Sequence, residues 1–406
     1  MSCVSFFMTL LAFFRRLFDR HNLFALVIFA LTVGLFLMPN WFRTPYQPAE
    51  GIRVRGRVTQ VDNSLIQQYG ILKAGSQSLI VEILGGDFKG QRVDARNDLI
   101  GKMETDKMFV NGDVAMVILT VNADNQIISA TAYDHYRLHI EAGLLLLFGV
   151  FLVLFAKSSG ARAMLSFIFA MMMLWKILLP GILKGYDPIL LALAVVTLIT
   201  AATLSLVAGI NKTALVALLG SLLGILLTCG TAMLILPLFR LHGAVQPFSE
   251  TLLYSGFESL NLNRIFLSAI FIGASGAVLD VAIDISTAMF EVADKRPDLS
   301  RKELMFSGFA VGRNMTSTMV TTLLMAYISG YMSLLMVFMA QGIPPINFIN
   351  TNYVAAEILR TVVGSFGLVT VAPFTAVVGG LIYAKHPRVA RNVAYESVGG
   401  VLPAEE

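Results

Sequence analysis

Cysteine is nearly absent. Cys3 lies at the amino terminus and Cys229 inside an apolar stretch, which leaves no basis for a disulfide framework or a thiolate metal centre. Charge is scarce too: Asp, Glu, Lys and Arg make up only 14% of the 406 residues, against roughly a quarter in soluble globular domains. No Gly-rich loop ending in Lys occurs, so ATP-driven work within this chain is not expected. Neither a nucleophile elbow nor metal-ligand spacing is visible, and no enzyme activity, cofactor or metal is expected. The net charge of +4 comes from basic residues in short loops beside apolar runs, so nucleic acid is not an expected partner.

Apolar residues fill the space that charge leaves, at 56% of the chain. Several runs reach the roughly 20 residues needed to cross a bilayer. The fold class expected is a polytopic α-helical membrane protein with about eight transmembrane helices and a small extracytoplasmic all-β domain. Residues 1–39 read as an interfacial helix and a first span, with Trp41 as an interfacial anchor. Within 40–138, stretches such as IRVRGRVTQVD, QSLIVEIL and DVAMVILTV alternate with period two between Gly, Asn and Asp. Five short strands, in an OB-like barrel or a sandwich, are predicted there. Residues 139–384 read as about seven further helices, near 139–156, 161–183, 188–209, 213–238, 264–290, 304–340 and 352–384. Residues 385–406 read as a tail.

Lys and Arg in the short loops set the orientation. With the amino terminus inside, thirteen of them fall on the cytoplasmic side, Arg15, Arg16, Lys295 and Arg296 included. Only Lys184, Arg240 and Arg264 fall in the opposite short loops. Both termini are therefore expected in the cytoplasm and the β domain outside it. The last two apolar segments exceed one span: residues 304–340 as a single helix would reach about 55 Å, against a hydrocarbon core of about 30 Å. They must break or protrude.

Two consecutive apolar segments carry charge where a bilayer makes it costly, by roughly 2.5–3.5 kcal/mol per residue on insertion scales. NRIFLSAIFIGASGAVLDVAIDISTAMFEV holds Asp280 and Asp284, four apart and so on one helix face. LMFSGFAVGRNMTSTMVTTLLM holds Arg313, with Ser317 and Thr321 in its row and Asn314, Thr318 and Thr322 in the next. Counting inward from the basic loop ADKRPDLSRKE, antiparallel helices put Asp280 and Arg313 within a turn or two of one depth. One reading is an ion pair that holds the bundle together. The other is a proton or ion path in which burial and Arg313 pull a carboxylate's proton affinity in opposite directions. Lys176 is a possible further counter-charge, or a lysine snorkelling outward. Glu357 and Arg360, three apart, read as a local helix pair.

GASGAVLDVAIDIS, VGRNMTSTMVTTLLMAYISG and AAEILRTVVGSFGLVTVAPF resemble the YibE/F family of bacterial multi-pass membrane proteins, and residues 264–384 carry the likeness best. The resemblance implies an integral protein of the bacterial cytoplasmic (inner) membrane. More distantly, an Asp-bearing span, a basic loop, an R-x-x-x-[ST]-x-x-T-T span and a Gly-rich final span are similar to the SecF-type half of the RND superfamily. That likeness implies proton-driven motion, with Asp280 as the acid, Arg313 as the base and Thr318, Thr321 and Thr322 as the polar lane. It also implies a homodimer or a partner subunit, since only one such half is present. The function expected is therefore proton- or ion-coupled transport or translocation in the bilayer. A non-transporting scaffold whose β domain binds an envelope partner is the alternative. An intramembrane aspartyl protease ranks last, because Ala-Val-Leu precedes Asp280 where such enzymes carry Gly-x-Gly.

Overall fold

The computed structural model describes residues 20–39, 41–42 and 51–384. The expected amino-terminal interfacial helix and carboxy-terminal tail lie outside these residues. Two compact units emerge, divided at 43/44 and at 157/158.

The first unit is built on a closed sheet. Strands β1 (Gly51–Asp62), β2 (Ile66–Tyr69), β3 (Leu72–Ile83), β4 (Arg92–Ile100), β5 (Val114–Val121) and β6 (Ile127–His135) follow in order. Pairing runs β1-β5-β6-β4-β3, and β3 returns to β1, so five strands close into a barrel. All pairings are antiparallel except β4–β6, a short parallel contact through Ala95–Ala130 and Arg96–Thr131. Alternation does the sorting. On β1, Val54 and Val58 point into the core while Arg53, Arg55 and Arg57 stand exposed. The sixth strand, β2, extends β3 through a two-residue turn at Gly70-Ile71, where Gly70 adopts φ 62°. Its sequence IQQY has no alternation, and only five strands are legible from the pattern. One buried polar pair joins the adjacent strands β3 and β4 inside the barrel. Asn97 Nδ2 donates to Gln77 Oε1 at 3.0 Å, and Gln77 Nε2 donates to the Phe109 carbonyl at 2.9 Å. These bonds fasten the segment between β4 and β5 to the core.

The helices are α1 (Arg20–Leu37), α2 (Leu138–Met173), a π-helical stretch at Leu174–Leu178, α3 (Leu179–Leu183), α4 (Pro188–Val207) and α5 (Lys212–Phe239). Then come α6 (Ser249–Tyr254), α7 (Leu262–Lys295), α8 (Arg301–Gly330), α9 (Met332–Ala340), α10 (Pro345–Ile349) and α11 (Asn352–Tyr383). Helix α2 breaks at Lys157, at φ 50° and ψ −126°, where the two units divide. Short polar residues set several starts. Asp187 accepts from the Ile189 and Leu190 amides, both at 3.0 Å, ahead of Pro188. Asn211 accepts from Ala214 N at 2.8 Å and Asn261 from Arg264 N at 3.1 Å. Ser300 and Glu303 form a capping box for α8. In the turn before it, two hydrogen bonds from Arg296 hold the Asp298 carboxyl down at about 2.

Among the described residues, five helical runs are long and apolar enough to cross a membrane, and α8 with α9 makes a sixth. About eight were expected, and the difference has two sources. The apolar part of α1, Leu23–Leu37, is short, and the spans expected at 139–156 and 161–183 form one run of 46 residues through the Lys157 break. The overlong segment at 304–340 resolves as a broken helix, bent by 63° between α8 and α9. Helix α11 instead runs unbroken through Pro373. It is the centre of the helical unit, packed on α5, α7 and α8, and its buried small residues serve different neighbours, Gly367 meeting Thr228 of α5 while Ala372, Ala376 and Gly380 meet α8. Small residues let the backbones approach: a methyl group at Gly224 would lie 3.2 Å from the Gly367 carbonyl oxygen.

Candidate functional site

Helix α7 presents two faces. Phe271, Ala274, Val278, Val281, Ile285 and Met289, three or four apart, are buried. Gly273, Gly276, Asp280, Asp284, Thr287 and Glu291 are all exposed and keep the same spacing on the other side. Gly273 marks which neighbour that stripe adjoins, since a methyl group there would lie 2.9 Å from the Tyr327 hydroxyl of α8. Asp280 lies seven residues on and Asp284 a turn further, so both carboxylates border the α7–α8 seam.

Helix α8 wedges between α7 and α11. A methyl group at Gly312 would come within 2.6 Å of Ala372 Cβ and 3.0 Å of Ile285 Cδ1. That contact sets the register. Gly312 faces Ile285, so Arg313 lies at the level of Asp284, and Ser317, a turn later, at the level of Asp280.

Depth therefore matches, but direction does not. Each residue turns a helix by about 100°, so Arg313 points away from Gly312 toward α11. It lines a groove of about 490 Å³ there with Phe309, Thr316, Ser317, Val369 and Pro373. Thr318 and Thr322 turn the opposite way, toward the Asp280–Asp284 seam. Asn314 and Thr321 stand nearly opposite Gly312, on the crest between. Arg313, Asn314, Ser317, Thr318, Thr321 and Thr322 are all exposed. Among the described residues, neither Asp280 nor Asp284 forms an ion pair with Arg313. The hydroxyls bond back to their own helix: Ser317 donates to the Asn314 carbonyl at 2.9 Å, Thr318 to Met315 at 2.9 Å and Thr322 to Thr318 at 3.2 Å. Donors satisfied in this way are tolerated in apolar surroundings while their oxygens can still accept.

Lys176 sits in the π-helical stretch. Its amine donates to the Met38 carbonyl at 2.8 Å, and Trp41 Nε1 donates to the Lys176 carbonyl at 2.7 Å. These bonds tie it to the end of α1.

A family model described as YibE/F-like protein matches residues 144–385, more than half of the chain. The chain belongs to the YibE/F-like family. No curated protein and no solved structure matches it, so the RND likeness rests on the order of residues alone. The YibE/F-like match takes in both aspartates, Arg313 and the whole of α11, and leaves the barrel strands outside it.

Within the matched region lies a polar cluster of which the sequence spacing predicts only a local pair. Glu357 of α11 is only 8% exposed. Arg360 Nη1 stands 3.6 Å from its carboxylate. Arg360 also bonds to the Gln246 side chain and lies 5.9 Å from the centre of the Phe266 ring. The Tyr331 hydroxyl approaches the Glu357 carboxylate, and the Tyr327 hydroxyl is buried without a hydrogen-bond partner among the described residues. Glu357 closes an apolar pocket of about 220 Å³ between α8, α9 and α11, lined by Leu324, Ile328, Tyr331 and Leu335. The i, i+3 spacing was the only signal in the sequence. Gln246 lies 114 residues from Arg360, and nothing local announces that contact.

Proposed function

We propose that this YibE/F-like protein is an integral membrane transport or translocation protein, coupled to a proton or ion through Asp280, Asp284 and Arg313. One observation carries the reading. Two carboxylates, a guanidinium and five short polar side chains stand exposed in mid-helix, on runs otherwise apolar enough to cross a bilayer. Lipid would penalise that face heavily. Such a surface is retained where it borders water or another polar surface, and a seam of carboxylates and hydroxyl oxygens is suited to hold and pass a proton. The resemblance to RND halves supports the same roles, with Asp280 as carrier and Arg313 as modulating cation. Placement in a bacterial inner membrane accords with the family, and cytoplasmic termini with the β barrel outside accord with the Lys/Arg bias when α1 and both halves of the 46-residue run are counted as spans; both belong to the same proposal.

Replacement of Asp280 by Asn tests it. The amide keeps the shape but cannot exchange a proton near neutral pH. The expected result is unchanged expression and thermal stability, with proton flux abolished in vesicles. Asp284→Asn, a turn nearer the basic loop, should be milder. Full flux in a well-folded Asp280→Asn protein would leave the scaffold reading. In that case the open concavity of about 620 Å³ on the barrel, lined by Asp62, Asp94, Arg96 and Ser129, is where an envelope partner would be sought.

A further inference from the structure

The charged face is incomplete in one copy. Asp280 and Asp284 border the seam on one flank of α8, Arg313 lines the groove on the other, and the crest of Asn314 and Thr321 separates them. Opposite charges thus lie at one level on opposite sides of one exposed helix. The contacts of Gly308 and Gly312 with Ala376 and Ala372 hold α8 against rotation that would bring the two flanks together.

A second copy unites them. We infer that two copies pair crest to crest along α8, about a two-fold axis parallel to the helices, so that Arg313 of each copy closes on Asp284 of the other. Rotation by 180° about such an axis preserves depth and exchanges flanks. The groove of one copy therefore meets the seam of its mate, and it does so twice, which makes the interface self-complementary as a two-fold contact requires. Level matching is the demanding condition, and the register of Gly312 on Ile285 satisfies it. An axis lying across the helices would invert one copy and separate the charges in depth. The surfaces also suit close approach at this level: Asn314 and Thr321 are short, and Gly276 on the neighbouring stripe has nothing within 4 Å of where a methyl group would sit.

The charge balance has a consequence for the proposed path. Two Arg313–Asp284 pairs neutralise four of the six charges, and one Asp280 remains on each side, beside the Thr318 and Thr322 oxygens. The interface thus separates a structural carboxylate from one left to exchange a proton. This inference rests on the membrane placement proposed above but not on transport.

Cross-linking in native membranes tests it on the full chain, with Cys3 and Cys229 replaced by Ala. Two differently tagged copies are co-expressed, one carrying Asp284→Cys and the other Arg313→Cys. A short bis-maleimide linker, about the length of an arginine side chain where a direct disulfide could not reach, should give a cross-linked pair that contains both tags, and either variant alone should give little. Strong linkage of Asp284→Cys to itself, or none in the mixture, would overturn the arrangement. Should either variant fail to fold, Thr321→Cys on the crest leaves all three charges in place. It should link to itself efficiently, and a protein that stays monomeric with that cysteine equally refutes the inference. Cross-linking is read without flux, so the two proposals fail separately. A linked dimer whose Asp280→Asn form still conducts protons sinks the coupling reading alone.

Discussion

Glu357 and Arg360 show what one residue can and cannot disclose. Three apart on a helix, they look like one of many exposed pairs worth a few tenths of a kcal/mol. Burial changes that arithmetic, because a charge left unpaired in an apolar interior costs about 3–5 kcal/mol, whereas replacing both members by apolar groups is often neutral. Arg360→Leu should therefore lower the thermal stability of the purified protein sharply, leaving Glu357 in its pocket with no cation. The double change Arg360→Leu, Glu357→Leu should recover most of the loss. A single variant as stable as the parent would show that water reaches Glu357 and that the pair contributes little. The signal missing from the sequence was tertiary: Gln246, Phe266 and Tyr331 reach the site from three other segments.

Much of α7 and α8 can be read in advance at the scale of elements. The 3.6-residue period groups Asp280 with Asp284, and the basic loop fixes their depth relative to Arg313. The helix that decides the rest cannot be read that way. Arg313 turns from the aspartates because α8 is wedged against α11, and that wedge depends on Gly308 and Gly312 meeting Ala376 and Ala372, some sixty residues away. Barrel closure is similar. Period-two runs predict strands, but closure needs the parallel contact of β4 with β6, only two residue pairs long. The role of the wedge can be measured. Gly312→Leu inserts a side chain where even a methyl group would be crowded, and overpacking of this kind typically costs about 1–3 kcal/mol. The expected outcome is a lower melting temperature together with loss of the Asp284–Arg313 cross-link, since displacing α8 breaks the match in level. Stability and cross-linking at parental levels would mean that α11 yields at little cost and that Gly312 does not set the register.

For the whole molecule, the proposed arrangement across the bilayer rests on charge in loops. With α1 and both halves of the 46-residue run counted as spans, thirteen basic residues fall on one side against three on the other, a large bias for short loops, and under the proposed orientation it would set which face each end of α7 and α8 occupies. The turn between β5 and β6 supplies a site for an outside label: Asp124 is exposed there, next to Asn125 at φ 59°. The opposite side is reported by Lys302, exposed in the first turn of α8. In a background with Cys3 and Cys229 replaced by Ala, a membrane-impermeant maleimide should label Asp124→Cys in intact cells. It should label Lys302→Cys only after the membrane is opened. A reporter fused after Glu406 should read cytoplasmic in the same cells. Both cysteines replace exposed polar residues and remove no buried contact, so poor folding is not a ready explanation for a missing signal. If Lys302→Cys reacts first and Asp124→Cys needs permeabilisation, the orientation is inverted; Asp280 and Arg313 keep their common level, but the proton path would open toward the other compartment. If both react in intact cells, α7 and α8 do not cross the bilayer, and the cost that singled out their charges no longer applies.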